Sequence, residues 1–225
     1  MTASGAAPTG ADAPVHLELY ADIACPWCYV AEARLEQALA LRPGLKVTRR
    51  WRPFQLQPGL PAEGLPWRGF AERKFGGWER ALAMFEQLHT VGREAGLAFD
   101  FRGIQKANNT ADAHRLVLLG ERGGVGPAVA QELFRAYFEE GRDLNDLDTL
   151  LAVAEAAGLE RGETRRYLQS DEAQAAVAES QREAAELGVQ GVPFYVFNRT
   201  YGVSGAQPVE VLLDVFDQIQ KEVEV

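Results

Sequence analysis

Cys25 and Cys28 are the only two cysteines in the 225 residues, and they stand three positions apart in Ala24-Cys25-Pro26-Trp27-Cys28-Tyr29. With one cysteine fixed, chance places a second at that spacing roughly one time in a hundred, so the pair asks for a chemical reason. Three chemistries use such a pair: thiol–disulfide exchange, half of a zinc site, and a structural bridge. Exchange needs a reactive first sulfur and a second that can attack the mixed disulfide from behind, which one helical turn supplies. A structural zinc site wants four ligands, and beyond the sulfurs the chain has only His16, His89 and His114, far apart in sequence. No metal is expected. In a reducing cytosol a lone Cys-x-x-Cys is redox-active or metal-binding more often than structural.

The flanking segments set where the sulfurs sit. Val15-His16-Leu17-Glu18-Leu19-Tyr20 alternates with the period of a strand. Val30, Ala31, Leu35, Ala38, Leu39 and Leu41 recur at helical spacing until Arg42-Pro43-Gly44 stops them. The pair therefore lies where a strand becomes a helix, and the free N–H groups and positive dipole end there stabilise a thiolate. Pro26 suits the first turn, where a missing N–H is harmless. Cys25 is expected exposed at the tip as the attacking sulfur, and Cys28 one turn deeper as the resolving one. The Pro26-Trp27 pair tunes the potential. Sites of this type span about −270 to −120 mV, so the direction of electron flow is not read from the motif.

Beyond the first helix, Leu45 to Arg52 alternates again, completing a β-α-β unit. From Pro53 to Pro66 come four prolines and two glycines, a rigid irregular connection, and no further strand signal follows until Val189. The middle predicts roughly five or six helices, the clearest being 78–95, 111–119, 127–138, 147–157 and 170–187. Gly96, Gly120, Gly141, Gly158 and Gly188 punctuate their ends. Asn145 or Asp146 is the expected N-cap of the fourth, and Ser170 that of the fifth. Val192-Pro193-Phe194-Tyr195-Val196-Phe197 and Tyr201-Gly202-Val203-Ser204 around Asn198-Arg199-Thr200 read as a hairpin. A closing amphipathic helix carries Val209, Leu212, Leu213, Val215, Phe216 and Ile219.

Whole-chain properties bound the function. A formal net charge of −9 argues against nucleic-acid binding, which needs a concentrated basic footprint. Met1 to Pro14 lacks the basic and apolar regions of a secretory signal and reads as a disordered tail. No run approaches the ~18 apolar residues of a membrane span. A soluble, cytoplasmic protein without a membrane partner is expected.

The order of elements, with Cys25-Pro26-Trp27-Cys28 opening the first helix and Val192-Pro193 opening the third strand, resembles the DsbA family of thiol-disulfide oxidoreductases, and within it the FrnE-like branch. Arg52-Pro53-Phe54-Gln55-Leu56, Asn109-Thr110-Ala111-Asp112-Ala113-His114-Arg115, Gly191-Val192-Pro193 and Gly205-Ala206-Gln207-Pro208 carry the rest of the resemblance. It implies an α/β, thioredoxin-like fold (β-α-β … β-β-α) with an inserted all-helical domain. Residues 15–62 and 188–225 would form the thioredoxin-like domain and 63–187 the insertion, after a tail over 1–14. It further implies a cis Pro193 that brings the Val192 backbone beside Cys25, catalysis by Cys25 and Cys28 with Pro26 and Trp27 in support, and no cofactor. Protein or peptide thiols and disulfides are the implied partners, with glutathione a further one. Phe54, Leu56, His114, Phe194, Gly205 and Ala206 are candidates for the substrate groove, His114 being expected chiefly as a packing histidine. Thioredoxin-like relatives often carry a buried acid six residues before the first cysteine, where Leu19 stands here; Glu18 and Asp22 are expected to be solvated or ion-paired instead.

Two other functions stay open. The groove between the two parts could bind unfolded chains as a chaperone, with Trp27, Phe54, Leu56 and Phe194 as its floor. A glutathione-linked isomerase or transferase of the same fold family would place serine at the first cysteine position, and two intact cysteines argue against it.

Overall fold

The computed structural model describes residues 14–223. Residues 1–13, on which nearly all of the expected disordered tail falls, lie outside the described residues. In chain order the elements are β1 (Val15–Ala21), α1 (Pro26–Ala40), β2 (Val47–Pro53), β3 (Leu65–Pro66), α2 (Trp67–Phe75), α3 (Trp78–Glu94) and β4 (Lys106–Ala107). They continue with α4 (Ala111–Arg122), α5 (Gly126–Phe138), α6 (Leu147–Ala156), α7 (Arg161–Gln169), α8 (Gln174–Glu186), β5 (Phe194–Phe197), β6 (Tyr201–Ser204) and α9 (Val209–Val223).

The main sheet has the order β2-β1-β5-β6. β1 and β2 run parallel, from Val15 opposite Val47 to Ala21 opposite Pro53, and α1 is the crossover that a parallel pair requires. β5 pairs antiparallel with β1, Leu19 facing Tyr195, and β6 returns along β5. Asn198 and Arg199 both have positive φ, 48° and 58°, as the tight turn of a twisted hairpin demands. Leu17, Leu19, Tyr195 and Phe197 share one core with Leu35 of α1 and Leu212 and Phe216 of α9. Tyr20 and Val196 join Ala184 of α8, Phe54 and Val189 in a second cluster. The sheet is thus covered on both faces, a thioredoxin-like unit interrupted between β2 and β5 by helices α2 to α8.

The insert departs from the sequence reading at four places. It contains seven helices, α2 to α8, because α2 and α7 are too short for a full apolar repeat; α7 buries only Thr164, Tyr167 and Leu168. Ser170 closes α7 instead of opening α8, whose N-cap is Ala173 with φ 62°. Gly120 lies inside α4, where a Cβ would stand 2.7 Å from Val129 Cγ2, so its role is the close approach of α5. The two-residue strands β3 and β4 are too short for alternation to reveal. Asp146 caps α6 as expected, accepting from Thr149 N.

Candidate active site

Cys25 is the N-cap of α1 and Pro26 occupies its first turn. The turn is tied by Cys25 N donating to Asp22 O at 3.0 Å and Cys28 N donating to Cys25 O at 2.9 Å. The Cys25 side chain makes no cap hydrogen bond; its Sγ lies 3.6 Å from the Val192 carbonyl oxygen. The Val192–Pro193 peptide bond is cis, and Gly205 N donates to Pro193 O at 2.9 Å, holding that loop from behind. Cys25 is only 5% exposed and Cys28 not at all, which corrects the expectation of an exposed tip. The insert covers the helix start, and Cys25 opens onto a cavity instead of bulk solvent. Both cysteines are free thiols. Burial pushes the Cys28 thiol well above its ordinary range, and its hydrogen bond with Cys25 and the charges of Cys25 and Asp22 push the same way.

Asp22, three residues before Cys25, is the centre of the polar network. It is 1% exposed, not solvated as its sequence position suggests. Oδ2 accepts from Leu56 N at 2.7 Å and Oδ1 from Ala24 N at 3.2 Å. His114 Nε2 lies 3.3 Å from Oδ1, facing it without hydrogen-bond alignment. Trp51 Nε1 donates to His114 Nδ1 at 3.1 Å. An indole N–H only donates, so Nδ1 is the unprotonated nitrogen and the ring proton sits on Nε2, toward Asp22. Burial alone would raise the Asp22 carboxyl, but His114, Leu56 N–H and the Thr110 hydroxyl together hold it below the usual carboxylate range. Two stretches singled out in the sequence, 52–56 and 109–115, therefore converge on one carboxylate, and Gln55 Nε2 donates to Asn109 Oδ1 at 3.2 Å to join them.

Asp22, Cys25, Pro26 and Trp27 form one wall of a cavity of about 220 Å³ between the sheet unit and the insert. The other wall is largely aromatic, from Trp67 and Phe70 of α2, Phe85 of α3 and Phe101. Phe85 stacks on Phe101 at 4.5 Å between centroids. This wall was not legible beforehand; the dense aromatics between 67 and 101 were the only signal.

A DSBA-like thioredoxin domain model matches residues 16–217. The chain belongs to this family. A probable DsbA oxidoreductase from Streptomyces coelicolor is 38% identical over 92% of this chain and 91% of its own, with a TM-score of 0.83. The uncharacterised protein YwbO of Bacillus subtilis (strain 168) is 23% identical over 92% of this chain and 98% of its own. The cytosolic disulfide reductase DsbM of Pseudomonas aeruginosa, solved with GSH, shares the fold with a TM-score of 0.61, at 22% identity over 93% of this chain and 97% of its own.

Within this DsbA-like frame the remaining sequence candidates divide. Leu56 lines the cavity with Trp27. Phe54 and Phe194 do not; they pack in and against the second cluster with Tyr20 and Val196, Phe194 because alternation along β5 sends it to the same face as Val196 and Phe54 just past the end of β2. Glu18 pairs with Arg52 at 2.9 Å, away from the sulfurs. His114 is fully buried and reaches the site only through Asp22. Ala206 accepts from Arg34 Nη1 at 2.7 Å, pinning the loop after β6 to α1. Among the described residues no group of three or more His, Cys, Asp or Glu side chains is arranged to hold a metal. No helix among them is long and apolar enough to cross a membrane.

Proposed function

We propose that this DsbA-like oxidoreductase exchanges disulfides with protein or peptide substrates, Cys25 attacking and Cys28 resolving. The observation that carries this is the asymmetry of the pair: Cys25 caps α1 on the cavity wall, while Cys28 is wholly buried one turn behind it. The Cys25 thiolate attacks a substrate disulfide, forming a mixed disulfide as one substrate thiolate leaves. Capture of Cys25 removes its hydrogen bond and charge, two of the causes that hold the proton on Cys28. Cys28 then loses that proton, attacks the Cys25 sulfur and closes the internal disulfide, freeing the second substrate thiol. Two electrons pass from the protein pair to the substrate; the reverse sequence oxidises a dithiol.

Pro26 and Trp27 shape the helix start, and Val192 and Pro193 flank the reactive sulfur. We assign 15–62 with 188–225 to the thioredoxin-like domain, 63–187 to the insertion, and the chain to the FrnE-like branch on its Cys25–Cys28 and Gly191–Pro193 motifs. Glutathione as a small-thiol partner and the cytosol as compartment are supported by likeness to a cytosolic disulfide reductase solved with GSH. The test is reduction of insulin disulfides: Cys25→Ser is expected to abolish it. Retained turnover in that variant would overturn the proposal.

A further inference from the structure

The formal net charge of the chain is −9, yet the charge at the mouth of the Cys25 cavity is positive. Lys74, in the last turn of α2, is the one cation among the described residues that line the cavity. It is exposed, and its Nζ lies 5.5 Å from the centre of the Phe70 ring and 5.9 Å from that of Phe75. Both rings belong to the same lining, so cation–π attraction holds the ammonium against the cavity wall. Two further cations flank it on the α2–α3 turn. Arg73 directly precedes Lys74, and the Arg80 guanidinium folds over Gly76, where an added Cβ would stand 3.1 Å from Nη1.

Among the described residues none of these three cations has a carboxylate within ion-pairing distance. The acids close by in sequence do not answer them. Glu72 pairs with Arg68 at 3.1 Å, and Glu79 stands in the first turn of α3, where the positive helix end favours it. Asp22, the carboxylate on the cavity lining, is 1% exposed and its oxygens receive Leu56 N and Ala24 N. The charge beside the reactive sulfur is therefore left for an anion that arrives from outside. The anion a peptide chain carries is a carboxylate. An ammonium on an apolar wall attracts it more strongly than one in open water, because low-dielectric surroundings screen the pair less.

We propose that the α2–α3 turn is a docking surface for an acidic segment of the substrate chain, with Lys74 selecting an aspartate or glutamate next to the substrate cysteine. The inference rests on the redox role of Cys25 proposed above. The step is unchanged: Cys25 displaces one peptide thiolate from the peptide disulfide, and Cys28 loses its proton and displaces the second. The protein pair is oxidised by two electrons and the peptide disulfide reduced. The field of the whole molecule opposes this choice, since a net charge of −9 repels acidic chains and attracts basic ones. A preference for acid is thus a local property of the turn, opposite in sign to the global one.

The experiment is single-turnover oxidation of the reduced protein, at low ionic strength, by disulfide dimers of the blocked peptides Glu-Cys-Glu, Gln-Cys-Gln and Lys-Cys-Lys. Each rate is divided by that of the same dimer with reduced dithiothreitol, which corrects for the effect of flanking charge on the leaving thiol. The glutamate dimer is expected to react about fivefold faster than the glutamine dimer and about 20-fold faster than the lysine dimer. Salt at about 0.5 M should close most of the gap. Lys74→Met keeps an apolar stem of similar length and is expected to bring the glutamate-to-glutamine ratio to about one or below, while Lys74→Glu inverts the order. Arg73→Gln and Arg80→Gln should each lower the ratio by about twofold or less. A melting transition confirms that each variant is folded. Equal rates for the three dimers, a fastest lysine dimer, or an acid preference that survives Lys74→Met would overturn the docking surface, while exchange with hydroxyethyl disulfide upholds the redox reading. If hydroxyethyl disulfide does not oxidise the pair, the redox reading falls. The surface is then decided by calorimetric binding of blocked Glu-Ser-Glu against blocked Lys-Ser-Lys, equal affinity or tighter binding of the lysine peptide counting against it.

Discussion

The junction that carries the sulfurs and the insert that walls the cavity are held by different forces. At the junction, contiguous backbone does the positioning: Cys25 N to Asp22 O, Cys28 N to Cys25 O, and the buried Asp22 carboxylate receiving Leu56 N and Ala24 N. In the insert, rings do most of it. Tyr29 stacks on Phe134 at 5.1 Å and meets Phe99 edge-on at 5.7 Å, joining α1 to α5 and to the 96–105 segment. Hydrogen-bonded turns fail outright when one group changes, whereas stacked apolar walls lose stability in proportion to the atoms removed. The sulfurs at the junction should answer mutation in activity, and the rings of the insert in stability.

The largest effect follows at the junction. Cys25→Ser is expected to lower insulin reduction by a factor of roughly 10³ or more with little change in melting temperature, since thiolate attack has no substitute. Phe101→Leu in the insert should do the reverse, costing about 1–2 kcal/mol in a denaturant titration and leaving the rate with a small disulfide within about threefold. A comparable change in both quantities for both variants would break the contrast.

One site in the insert departs from the ring-packing rule. The Arg115 guanidinium, 2% exposed, donates to the carbonyls of Tyr167, Leu168, Ser170 and Glu172, tying α4 to the α7–α8 connection. Arg115→Ala leaves those acceptors without their donor and is expected to cost about 3 kcal/mol or more in denaturant.

Asp22→Asn tests the junction more finely. One amide N–H₂ would face donors that the carboxylate now accepts, at a cost of about 1–3 kcal/mol at neutral pH. Because Asp22 is held below its ordinary value, near ~3.9, its contribution is complete above that value. It is lost as pH falls through the lower folded value. The stability gap between wild type and Asp22→Asn should thus be constant from pH 5 to 7 and shrink on acidification, by denaturant titration at each pH. Cys28 should also alkylate faster in the variant, since the Asp22 charge is one cause that holds its proton. The smallest effect is Arg182→Ala, which removes an exposed pair with Glu179 one turn away on α8 and should alter stability by less than about 0.5 kcal/mol.

The same division governs how much the sequence disclosed. The β-α-β opening, the hairpin and the closing helix were legible because strand and helix periods are local, and the sulfurs because their spacing is. The burial of Asp22 is not legible locally: a carboxylate three residues before Cys25 reads as solvated or ion-paired until 52–56 and 109–115 fold over it, contacts that no local pattern encodes. Phe54 and Phe194 read as groove residues in the sequence, whereas the side of the sheet they take is a property of the strand pairing. The cavity wall depends on β3 and β4, two residues each, below the length at which alternation carries information.

The measurement that tests the central claim most directly is the trapping of a mixed disulfide on insulin by the two single-cysteine variants. The account predicts that Cys28→Ser, which keeps the cavity-facing Cys25, accumulates a stable adduct seen by intact mass, and that Cys25→Ser, which keeps only the buried Cys28, forms none. Adduct formation by Cys25→Ser as readily as by Cys28→Ser would contradict it.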